Sequence, residues 1–156
     1  MLVRKLSRDC VAGYLAAEPV RGDRDLELLD LGGKVIRIPL AEVKWVCFLR
    51  ELPDVPDAAN PERLLHKRFR NRPRSPGLWV RLELADHDVL EGIVANDSSL
   101  VRGAGLLLTP PDTRSNTQRI FVPVEAIQSM EVVARLVGAR PRAEARDDQP
   151  HLFAAE

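Results

Sequence analysis

Six basic residues, Arg63, Lys67, Arg68, Arg70, Arg72 and Arg74, crowd positions 62–76 of this sequence, where Glu62 is the one acid. Cations at this density suit a phosphate backbone, since each phosphate they neutralise adds salt-dependent affinity. Arg70 and Arg74 are also spaced so that two guanidinium forks could grip a guanine and a phosphate. The competing use is internal, because positions 77–134 hold 8 acidic against 4 basic residues and the strip could neutralise them. That internal use is the preferred expectation. No ladder of aromatic residues accompanies the arginines, which disfavours stacking on single-stranded bases.

Other constellations offer less chemistry. Gln149, Leu152 and Phe153 have the spacing of the short peptides by which bacterial replication-clamp ligands insert Leu and Phe into an apolar pocket, so they form a candidate partner-binding tail. Asp86-His87-Asp88 could be drawn as acid, base and orienter, but three consecutive residues of a hairpin turn are expected to point apart and stay solvated. Ser98 and Ser99 have no histidine near them in sequence, and no Gly-rich phosphate loop joins a strand to a helix. Cys10 and Cys47 stand apart, and His66, His87 and His151 are scattered, so no metal cluster forms in the sequence. Reduced, buried thiols are expected in preference to a disulfide. The expectation is a non-enzyme with no catalytic residues, no metal and no cofactor.

The elements that carry these residues belong to a chain of 156 residues with 23 basic and 23 acidic side chains. Net neutrality argues against an indiscriminate polyanion or membrane-surface binder. Aromatic residues make up 4% of the chain, so the core must rest on Val, Leu and Ile. Charges interrupt every apolar run near Met1, which offers neither a signal peptide nor a spanning helix, and a cytoplasmic protein without membrane contact is expected.

An internal repeat organises the chain. A shift of 79 aligns Asp9, Gly13 and Ala16 with Asp88, Gly92 and Ala95, and a shift of 84 aligns Ile36-Arg-Ile-Pro39 with Ile120-Phe-Val-Pro123. Two blocks in the same order point to a tandem duplication. In the second copy Leu78, Val80, Leu82 and Leu84 alternate with polar or large residues, the period of a strand with one buried face. Strands are expected at 78–84, 89–95, 105–109, 118–123 and 127–133, with the first copy following the same plan around a tight hairpin at Leu31-Gly-Gly33. Short bent strands of this kind close most economically into a small barrel.

The resulting division is a first small barrel at 1–50, a Pro-rich linker at 51–77, a second small barrel at 78–134 and a flexible tail at 135–156. In the linker, Asn60-Pro61-Glu62 predicts a helix from Pro61 to about Phe69, with Leu64, Leu65 and Phe69 on one apolar face packed against the second barrel.

A helix followed by five bent strands, with Gly92 in the second strand, Asp97 after it and a short turn before the fifth, resembles the Sm-like fold, a small SH3-like barrel. The span from Gly13 to Val133 resembles more closely a bacterial family of unknown function with two such segments in tandem. Gly13-Tyr-Leu, Glu42 to Glu51, Val89-Leu-Glu-Gly-Ile93 and Leu106 to Pro123 carry that likeness. The Sm-like resemblance implies association through strand edges and RNA binding around a ring. At the positions such proteins use for RNA this chain has Ser98-Ser99 after Asp97, and Val122-Pro123 and Ile38-Pro39 where an Arg-Gly pair is usual. Arg70-x-x-x-Arg74 and Asp97 to Gly103 also resemble elements of PilZ domains, which would imply cyclic di-GMP.

These readings converge on a mainly β protein of two tandem five-stranded barrels acting as a binding or assembly module. A homo-oligomer joined through barrel edges is expected, with a protein partner possible. RNA binding through the basic linker is the alternative, and cyclic di-GMP binding a further one.

Overall fold

The computed structural model of the chain describes residues 1–21, 24–52, 61–112 and 114–138, so the Gln149, Leu152 and Phe153 motif and the helix-start residue Asn60 lie outside the described residues. The strands are β1 (Leu2–Lys5), β2 (Cys10–Arg21), β3 (Asp25–Asp30), β4 (Val35–Pro39), β5 (Val43–Leu49), β6 (Gly77–Leu84), β7 (Val89–Val94), β8 (Gly105–Thr109), β9 (Thr117–Pro123) and β10 (Ile127–Leu136). A single-turn helix, α1 (Ser99–Arg102), follows β7, and 3-10 turns occupy Leu40–Glu42, Pro61–His66 and Val124–Ala126. Among the described residues no helix is long and apolar enough to cross a membrane.

All ten strands join one antiparallel sheet in the order β10-β6-β7-β8-β9-β5-β1-β2-β3-β4. The expected division into two separately closed sheets is replaced by a hydrogen-bonded joint, in which β5 pairs with β9 through Val46–Phe121, Cys47–Ile120 and Phe48–Arg119. That pairing satisfies two rows of backbone N–H and C=O groups that separate sheets would have left open.

The halves on either side of the joint have the same local pairing. Leu2–Ala12 and Val3–Val11 in the first half correspond to Arg81–Glu91 and Leu82–Leu90 in the second. Leu26–Ile38 and Leu28–Ile36 correspond to Leu106–Val122 and Leu108–Ile120. The turn after β1 places Arg8 at φ 74°, and the turn after β6 places His87 at φ 64°. Backbone bonds close both turns alike, Arg8 to Lys5 at 3.0 Å and His87 to Leu84 at 2.8 Å. At Gly13 a Cβ would collide with the carbonyl of Leu29, and at Gly92 it would lie 2.8 Å from Leu108 Cδ2, so each bend in β2 and β7 requires the bare backbone.

Alternation divides the interior into two clusters. Val3, Leu26, Leu28, Ile38, Val43 and Val46 fill the core of the first half. A larger core holds Val80, Leu82, Leu90, Leu106, Leu108, Ile120 and Val122, and it takes Leu2, Trp45 and Cys47 from the first half as well. Strands β1 and β5 are therefore buried on both faces, which is why Val43 to Leu49 reads as an almost unbroken apolar run.

The linker helix is shorter than the sequence suggests. It is a 3-10 segment ending at His66, with Pro61 and Leu64 buried, and Phe69 lies beyond it, edge-on to Trp79 with ring centroids 5.5 Å apart. The last strand continues past the expected boundary at 134 to Leu136.

Candidate interaction surfaces

Segment 66–72 is strapped to the outer face of the second half by one buried carboxylate. Glu91, on β7, is 1% exposed on its side chain. Its Oε1 accepts the Phe69 N–H at 2.9 Å, and its Oε2 lies 3.7 Å from Arg68 and 3.6 Å from Arg81. Arg68 also donates to the Leu65 and Lys67 carbonyls, both at 2.8 Å. Arg72 donates to the Arg135 carbonyl at 2.8 Å, and Lys67 pairs with Asp112 at 3.1 Å. The Lys67 hydrogen bond is the main reason that the Asp112 carboxyl stays below its usual range.

Three of the six basic residues singled out by sequence thus have partners within the fold. Arg63, Arg70 and Arg74 point their charge outward in exposed positions. Beside them a groove of about 730 Å³ runs between His66–Asn71 and Pro111–Asp112. Arg70 lines it, but Arg74 and the segment Asp97 to Gly103 do not. Asp97 instead accepts the Ser99 N–H at 2.8 Å at the start of α1, and its hydrogen bonds to Ser99 hold its carboxyl below the usual range.

The turn at Asp86-His87-Asp88 corrects the expectation that its side chains point apart, while Asp86 and His87 remain exposed. Both aspartates converge on Lys44 Nζ, which approaches Asp86 at 2.5 Å and also bonds Asp88. Lys44 is 4% exposed on its side chain, comes from β5, and lies 4.8 Å from the ring centroid of Trp45. Burial raises the Asp86 pKa, but the hydrogen bond and charge of Lys44 outweigh it and leave the carboxyl below its usual range. The cluster fastens the first half to the second. His87 turns away to Glu83, 3.2 Å distant.

The cysteines are free. Cys10 faces Arg4 and Cys47 faces Leu2 on opposite sides of β1, about 9.6 Å apart by strand spacing alone, beyond disulfide reach. Burial pushes the Cys47 thiol up to about 12. Among the described residues no group of three His, Cys, Asp or Glu side chains could hold a metal ion.

The two ends of the sheet expose apolar side chains. At the β4 end Val35 is 67% exposed, with Tyr14, Leu29 and Leu31 also open. At the β10 end Met130 is 43% and Val132 49% exposed. Val46 of β5, which occupies the position corresponding to Met130, is 1% exposed because β9 and the core of the first half cover it. Among the described residues no strand pairs with the far side of β4 or of β10. The sequence contained these strands, but only the sheet order reveals which ones are outermost.

Residues 1–134 match the model of a family of unknown function, DUF6982, a span that runs from β1 to within two residues of the end of β10. No curated protein and no solved structure matches the chain.

Proposed function

The chain belongs to this family of unknown function, and on that premise we propose that it is a non-enzymatic assembly module of two tandem Sm-like five-stranded units that self-associates through its sheet edges. The matched strand order and register of the halves support descent from a duplicated unit. The observation that carries the function is the pair of outermost strands, β4 and β10, which combine open backbone donors and acceptors with exposed Val35, Met130 and Val132. An unpaired strand edge is a template for another strand.

A second reading, anion or RNA binding at the linker, draws on exposed Arg63, Arg70 and Arg74, of which Arg70 lines the groove. It is the weaker one, because Lys67, Arg68 and Arg72 already serve the fold and Asp112 shares the groove wall. Amide hydrogen exchange of the full chain over a concentration series separates the two. Protection at 35–38 and 128–136 should rise with protein concentration while β6 and β7 stay unchanged. Edges indifferent to concentration, together with RNA retained at low salt and lost in the Arg70→Glu variant, would overturn the assembly reading.

A further inference from the structure

The joint inside the chain defines the partner that each open edge lacks. Within its half β5 is the strand beside β1, just as β10 is the strand beside β6, while β9 ends the second half as β4 ends the first. The β5–β9 joint therefore pairs the end strand of one half with the opposite edge of the other. What remains open is the same combination, β10 and β4.

We propose that β10 of one copy of this chain pairs antiparallel with β4 of a second copy, head to tail, in the register of the internal joint. This inference rests on the self-association reading and gives it a geometry. Residues of β4 and β5 correspond to those 84 positions later in β9 and β10, as the equivalent bonds Val43–Lys5 and Ile127–Leu84 show. The internal pairs Val46–Phe121, Cys47–Ile120 and Phe48–Arg119 thereby become Met130–Arg37, Glu131–Ile36 and Val132–Val35 between copies. Val132 and Val35, each exposed in the single chain, meet face to face.

Head-to-tail pairing also repeats the one edge-to-edge contact that the two halves already make, in which the last strand of one half meets the opposite edge of the other. Because such a contact uses two different patches, it leaves one of each open and propagates, closing into a ring where the rotation per copy permits.

The intermolecular joint is weaker than the internal one for a visible reason. Leu2, Ala12, Trp45 and Cys47 underlie the internal joint as part of a shared apolar core. Their counterparts in the second half are Arg81, Glu91, Ser129 and Glu131; Arg81 pairs with both glutamates and the Ser129 hydroxyl donates to Glu83, which leaves no apolar floor. Association between copies is consequently reversible.

Oxidative cross-linking of the full chain tests the register. Directly opposed residues on antiparallel strands lie within disulfide reach. A mixture of the Val35→Cys and Val132→Cys variants should yield a covalent dimer that neither variant yields alone. Val132→Lys should weaken association at least tenfold without lowering the melting temperature. Dimer formation by Val132→Cys alone would replace this geometry with a symmetric one. An oligomer that forms without any 35–132 cross-link would overturn this joint and leave self-association standing, whereas a chain that stays single at every concentration would overturn both.

Discussion

Lys44 shows how a single buried charge is worth more than its exposed partners suggest. Removing the lysine leaves Asp86 and Asp88 with side chains 34% and 40% exposed, where water can solvate them. Removing both carboxylates leaves an ammonium that is 4% exposed and without a counter-ion. The Asp86→Asn/Asp88→Asn variant should therefore lose about 3 kcal/mol, and Lys44→Met under about 1 kcal/mol, measured by urea unfolding. Since the folded pKa of Asp86 lies below its unfolded value near ~3.9, its contribution is complete above that pH and is lost as the pH falls through the folded value. Wild type should lose this increment on acidification, and Lys44→Met should have none of it to lose. Little of this was legible in the sequence. Asp86 and Asp88 read as solvated turn residues because their partner lies 42 and 44 positions away on another strand, and local pattern carries no information about such a contact.

At the scale of the element, the strands were the most legible feature. The alternation from Leu78 to Leu84 reports one wet face and one dry face, and it recurs in the burial of β6. The joint was hidden because Val43 to Leu49 is apolar on both faces, a pattern that periodicity alone cannot assign to a neighbour. The 3-10 segment fell short of the expected helix because Phe69 is drawn to Trp79 and its N–H to Glu91, contacts that a continued helix would break. Two glycines give the element-scale prediction. Gly13→Ala forces a methyl group onto the Leu29 carbonyl and Gly92→Ala onto Leu108, so each should cost roughly 1–3 kcal/mol in thermal or urea unfolding. Gly32→Ala, whose nearest neighbour is Asp30 Oδ1 at 3.3 Å, should stay within about 0.5 kcal/mol. Equal effects at all three positions would contradict the close-approach explanation of the β2 and β7 bends.

For the whole molecule, the even balance of 23 basic and 23 acidic residues conceals a polar arrangement. Residues 1–50 carry 9 basic against 7 acidic side chains and residues 77–134 carry 4 against 8, with the linker cations partly spent on Glu91 and Asp112. The matching pairing of the two halves was foreshadowed by Gly13, Gly92 and the two Ile-x-x-Pro blocks. The sharing of one sheet by both halves was not, because hydrogen bonding between edges leaves no side-chain signature. Sedimentation velocity of the full chain across a concentration series tests self-association through the sheet edges most directly. The mass should rise reversibly above that of one chain and return to it in the Val35→Lys variant with its fold intact. A wild-type chain that sediments with the mass of one chain at every concentration would contradict it.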